Sequence, residues 1–184
     1  MIAPKRRTLL AAALILPVVA IPRKPSAAGA AMPDLSRLQA HPGKAVPEFQ
    51  FTTADGTVRT LADYAGQGVV LNFWATWCVP CVAEMPALDA LARLVATDRV
   101  AVLALSSDRG GAPPVERFYK EKKIQTLAVL LDPKGEAARA FSARGIPTTV
   151  LIDRAGKERG RVEGAAEWGN PAAVDAVRRM VTAG

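Results

Sequence analysis

An α/β fold, with a mixed sheet covered on both faces by helices, is what this sequence predicts. Three observations lead there. Short β-branched, apolar runs alternate with Ala- and Leu-rich helical stretches from residue 69 to residue 153; a Gly-containing turn then leads into an antiparallel partner; and a helical segment closes the chain. With half of its 184 residues hydrophobic, the chain can bury one real core.

The formal charge of +7 looks basic until it is located. Lys5, Arg6, Arg7, Arg23 and Lys24 supply five of those charges within residues 1–30, which hold no acid, and the rest of the chain carries +2. No basic patch interleaved with aromatics follows, so nucleic acid is not an expected partner. Residues 1–31 instead combine Lys5-Arg6-Arg7, an apolar run from Thr8 to Ala20, and the small-residue stretch Ser26-Ala27-Ala28-Gly29-Ala30-Ala31. That is the pattern of a cleaved export signal, or else of a short membrane anchor, and contact with a membrane is expected only if the segment is retained. Arg6-Arg7 resembles a twin-arginine signal, although Lys5 stands where Ser or Thr is usual. Either form places the rest of the chain outside the cytoplasm, in a bacterial periplasm, where disulfides persist.

Residues 32–44, with Pro33, Pro42 and Gly43, read as a lead-in linker, and His41 within them as a solvated loop residue. The domain proper is expected over residues 45–184. Phe49 to Thr53 and Thr57 to Thr60 flank Asp55-Gly56, a hairpin turn, and Leu61 to Gly66 reads as one helical turn. Val69 to Trp74 reads as a buried strand and Val82 to Ala96 as a helix, which Pro86 should kink or restart. Strands are expected at Arg99 to Leu105, Thr126 to Leu131 and Gly145 to Asp153, with Glu158 to Val162 as the antiparallel partner. Helices are expected at Pro113 to Lys123, Glu136 to Phe141 and Pro171 to Val181.

Between the first buried strand and its helix lie the only two cysteines, in Trp77-Cys78-Val79-Pro80-Cys81. A disulfide across so short a loop restrains the unfolded chain little, so its value lies in opening and closing. Cys78 falls at the helix start, where unpaired N–H groups and the positive end of the helix dipole favour a thiolate. Cys81, one turn inward, is shielded. The division of labour that follows is Cys78 as attacking thiolate and Cys81 as resolving thiol. Pro80 lacks an N–H where a helix start needs none. A structural zinc site would need about four Cys or His ligands, more than two Cys and His41 supply. Haem attachment would need His after Cys81, where Val82 stands.

The run Val69 to Cys81, followed by Glu84-Met85-Pro86 and by Gly145-Ile146-Pro147-Thr148-Thr149, resembles the thioredoxin-fold family, and within it the exported TlpA/ResA-type thiol-disulfide oxidoreductases. The resemblance covers residues 45 to 182. It implies a thioredoxin-like fold with an N-terminal β-hairpin extension, and a cis peptide bond at Ile146-Pro147 beside Cys78. Ile146 and Pro147 would present backbone to an extended substrate strand, with Trp77 and Pro80 beside the attacking sulfur. Thioredoxin's buried Asp, six residues before the first Cys, is replaced by Asn72. Glu84, three residues past Cys81, matches an acid of the TlpA/ResA type and would accept the Cys81 proton. The resemblance implies no cofactor beyond the Cys78–Cys81 disulfide and no metal. The substrates would be disulfides of other exported proteins, in cytochrome c biogenesis or copper-protein thiol maintenance, with electrons from a membrane protein of thiol-relay type. Trp74 is expected to be core and Trp168 to be packing.

Two other functions are weighed by the same residues. A peroxiredoxin-like peroxidase would have Pro-x-x-x-Thr-x-x-Cys, and Leu71 and Ala75 occupy the Pro and Thr positions. A copper-binding assembly factor would need a wider cysteine spacing and a histidine after His41, and none follows.

Overall fold

The computed structural model describes residues 35–182, so the expected export segment lies outside the described residues. Among the described residues eight strands form one mixed sheet: β1 Gln39–Ala45, β2 Gln50–Thr53, β3 Val58–Thr60, β4 Gly68–Trp74, β5 Val100–Ser106, β6 Leu130–Leu131, β7 Thr148–Ile152 and β8 Lys157–Glu163. Their order across the sheet is β1-β8-β7-β4-β5-β6-β2-β3. The α-helices among the described residues are α1 Val79–Leu94, α2 Ala112–Lys122, α3 Glu136–Ala140 and α4 Pro171–Val181.

Strand β4 is the buried centre. Every residue in it is buried, because helices cover both faces. It pairs in parallel with β5 and antiparallel with β7. Alternation sorts its side chains: Val70 and Trp74 face a core built with α1, α2 and α4, while Val69, Leu71 and Phe73 face the core holding Phe51, Ala137 and Phe141. Trp74 is fully buried and stacks on Tyr119 at 5.8 Å between ring centroids. The sequence-based assignment of Trp74 to the core therefore holds, as do the Asp55-Gly56 hairpin, strands β4, β5, β7 and β8, and helix α4.

Four expectations need correction. Residues 39–45 are not an unstructured lead-in: they form edge strand β1, antiparallel to β8 with an irregularity between Ala40 and Lys44. Their exposed, Pro- and Gly-bearing sequence lacks the apolar alternation of a core strand. His41 in that strand is not a solvated loop residue, since its Nε2 lies 3.2 Å from Oε1 of buried Glu158, which also binds Arg161. The strand expected over Thr126 to Leu131 shrinks to Leu130–Leu131. Asp89 on α1 explains this, because its Oδ1 accepts the backbone N–H groups of Gln125, Thr126 and Leu127, which are therefore lost to strand pairing. Finally, α1 begins at Val79 rather than Val82 and runs unbroken through Pro86.

Candidate active site

The site is the junction of β4 with α1. Cys78 caps the helix in extended backbone (φ −88°, ψ 102°), and Pro80 occupies the first turn, where its missing N–H leaves no helical bond unmade. Cys78 and Cys81 are joined as a disulfide. Their burial is unequal in the expected sense: Cys78 keeps 6% of its surface and Cys81 none. The Cys81 N–H points at Cys78 Sγ at 3.3 Å, a donor that would stabilise a thiolate there once the bond is open. Trp77 and Val79 flank the sulfur as the most exposed large apolar side chains among the described residues, at 68% and 81%.

The loop ahead of Cys78 is fastened to β5. Asp108 accepts the Thr76 N–H at 2.9 Å, the Thr76 hydroxyl at 2.5 Å and the Ser106 hydroxyl at 2.7 Å. Opposite Cys78 stands the turn into β7, where Ile146-Pro147 is a cis peptide bond. The Ile146 carbonyl oxygen lies 3.7 Å from Cys78 Sγ, and the Pro147 carbonyl accepts the Gly164 N–H at 2.8 Å. Cys78, Cys81, Ile146 and Pro147 are thus brought together, with Trp77 and Pro80 on the Cys78 side of the loop.

Glu84 is on α1, one helical turn past Cys81, and is fully buried. This is not an exposed acid favoured by the helix dipole. Its Oε1 accepts the Asn72 side-chain amide at 2.9 Å; its Oε2 accepts the Ala166 N–H and the Trp168 indole N–H, each at 3.0 Å. Burial pushes the Glu84 carboxyl from its usual 4.5 to about 7, against the lowering effect of those three bonds. Asn72 also donates to the Thr149 hydroxyl at 2.9 Å, across the β4–β7 register that sets the two residues opposite each other.

Trp168 therefore departs from the reading of it as packing alone. It is buried, and its one polar atom is spent on Glu84. Nothing near it in sequence announces that bond, which spans 84 residues. Asn72 did carry a signal, standing where a relative keeps a buried acid. Among the described residues no cluster of three or more His, Cys, Asp or Glu is arranged to hold a metal ion.

A vicinal cysteine pair that opens and closes, with a buried acid of near-neutral proton affinity beside it, can carry out thiol-disulfide exchange. Comparison with known proteins agrees. Residues 42–159 match the AhpC/TSA family. The chain is 36% identical over 124 residues to the thiol-disulfide oxidoreductase ResA of Geobacillus thermodenitrificans, covering 66% of this chain and 69% of that protein. Among solved structures it superposes with TM-score 0.62 and 29% identity on a Chlorobium tepidum protein assigned as thiol:disulfide interchange protein DsbE, covering 77% of this chain and 96% of that one. The pneumococcal exposed lipoprotein thioredoxin of Streptococcus pneumoniae superposes with TM-score 0.57 and 29% identity, over 72% of this chain and 98% of its own. The thioredoxin-like architecture, the redox cysteine pair and these relatives lead to one conclusion: the chain belongs to the AhpC/TSA family, as a thiol-disulfide oxidoreductase of the ResA type.

Proposed function

We propose that this thiol-disulfide oxidoreductase works outside the cytoplasm as a reductase of disulfides in other exported proteins. The cycle begins with the reduced pair. The Cys78 thiolate attacks a substrate disulfide, forming a Cys78–substrate bond as the substrate S–S bond breaks and one substrate thiolate leaves. Glu84 takes the proton of the Cys81 thiol. The Cys81 thiolate then attacks Cys78 Sγ, closing the Cys78–Cys81 disulfide and releasing the second substrate thiolate. Two electrons have passed to the substrate, and the Glu84 proton returns to solvent. Trp77, Pro80, Ile146 and Pro147 form the seat for the substrate strand. A membrane protein of thiol-relay type re-reduces the pair, since an oxidising compartment does not.

The observation that carries this reading is Glu84, buried one turn past Cys81 with its carboxyl raised to about 7. An acid poised near neutrality suits taking up and releasing a proton on each turnover. The extracytoplasmic setting is supported by the charged and apolar pattern of residues 1–31 and by the exposed lipoprotein among the structural relatives. Cytochrome c biogenesis or the maintenance of copper-protein thiols is the setting proposed.

Cys81→Ala, expressed in the source cells, tests the proposal. With no resolving thiol, Cys78 should be recovered in mixed disulfides with exported, cysteine-containing proteins, including those that carry haem or copper. Recovery with cytoplasmic proteins, or no adducts in cells where Cys78 alkylates freely, would overturn it.

A further inference from the structure

Glu84 has two oxygens in unlike positions, and the difference assigns a role that the exchange reaction alone does not. Oε2 accepts two hydrogen bonds, from the Ala166 N–H and the Trp168 indole, which fill its acceptor capacity in the carboxyl plane. Oε1 accepts one, from Asn72, and keeps a lone pair. A proton placed on Oε2 would displace a backbone or indole donor of a buried residue, a costly loss. A proton on Oε1 displaces nothing at Oε2.

We infer that Trp168 is a positioning residue of the resolving step: with the Ala166 amide it holds Glu84 Oε2 as a permanent acceptor, so that the proton exchanged with Cys81 is taken up and released at Oε1. The inference rests on Glu84 being the proton acceptor for Cys81. The groups that face the carboxyl are Asn72 from β4, with Thr149 of β7 behind it, and Ala166 and Trp168 from the segment between β8 and α4; along α1 itself the neighbour one turn away is Cys81, held in the disulfide. Burial and the three hydrogen bonds are the contributions to its shift, with no charged side chain among them.

The clamp is well supported at both ends. Gly164, at φ +93°, turns the chain out of β8 in a conformation that a side chain would strain, and its N–H is held by the Pro147 carbonyl. Asn170 closes the segment by capping α4, its side-chain oxygen accepting the Ala173 N–H at 2.8 Å. The donors to Oε2 therefore hang on a strap whose first residue is bonded to the substrate-facing proline. The strap keeps Oε2 engaged in both protonation states, so proton uptake needs no rearrangement of the core around it.

NMR on the full oxidised chain tests this. In the parent protein the Trp168 indole N–H resonance should move with the same midpoint as the Glu84 carboxyl carbon, because a bond to a carboxylate is stronger than one to a neutral acid. The Ala166 amide should stay protected from exchange on both sides of that midpoint. Trp168→Phe, which deletes the donor and keeps an aromatic ring, should lower the acid dissociation constant of Glu84 by about tenfold, the expected size for one hydrogen bond to a charge. An indole resonance that ignores the Glu84 titration, or an Ala166 amide that loses protection on acidification, would overturn the inference, and neither readout requires the variant to fold. The pH profile of mixed-disulfide resolution separates this from the reading beneath it. A resolution rate flat in pH, with indole and carboxyl titrating together, would remove Glu84 as the proton acceptor and with it the role of Trp168 in resolution, while leaving the clamp on Oε2 intact.

Discussion

Glu84→Gln keeps the shape of the side chain and removes its titration, so the pair isolates what the buried acid does. In the folded protein burial raises the carboxyl from 4.5 to about 7, with the bonds from Ala166, Trp168 and Asn72 pulling the other way. The unfolded chain has the ordinary affinity. Between those two values the folded state holds a proton that the unfolded state has lost, so stability falls as pH rises. The contribution is fully present below 4.5 and gone above about 7, and it amounts to about 3 kcal/mol. Glutamine has no such slope. It can leave its carbonyl oxygen with Trp168 and Ala166, and once the Asn72 amide, whose nitrogen faces Glu84 in the parent, turns over, its own amide can donate to Asn72 Oδ1, which is buried and otherwise unpartnered. Urea unfolding of the oxidised parent and variant, from pH about 4.5 to about 8, gives the difference in stability free of other titrations. That difference should move in the variant's favour by about 3 kcal/mol across the range, reported as a change in midpoint at constant slope. In the reduced protein the same variant should slow mixed-disulfide resolution roughly a hundredfold, the lower range for a lost general base. Parallel stability curves, separated by a constant amount from acid to alkaline pH, would mean that folding does not raise the Glu84 carboxyl.

Two further outcomes are expected. Asp108→Asn turns one of the acceptor oxygens that fasten Thr76 and Ser106 into a donor, so it should cost about 1 to 3 kcal/mol in denaturant unfolding and slow disulfide exchange although neither cysteine is touched. Trp77→Ala removes a side chain that is 68% exposed, so stability should change by less than about 0.5 kcal/mol while KM for protein disulfides rises and turnover of a small disulfide such as oxidised glutathione is little changed.

The site was legible where chemistry is local and opaque where it is not. Cys78, Cys81 and the helix start can be read from five consecutive residues, and Glu84 follows at one turn. Strand β4 declares itself by β-branched and aromatic residues with no polar break except Asn72. Helix α4 is bounded by Asn170-Pro171, a cap and a first-turn proline. What escaped depends on partners far along the chain. Asp89 captures three backbone amides 36 to 38 residues away, and so shortens a strand whose sequence is otherwise a good one. His41 meets Glu158 across 117 residues and marks β1 as part of the sheet. Trp168, apolar and near the last helix, gave no sign that its indole N–H completes the carboxyl site. Buried polar atoms need partners, but sequence does not say which.

The most direct test is the reduction potential of the Cys78/Cys81 couple, measured on the full chain in glutathione redox buffers. A value near that of thioredoxin, about −270 mV, is expected, as a reductant fed by a membrane donor requires. A value near about −120 mV, that of a strong oxidant which introduces disulfides, would contradict the proposed reductase role.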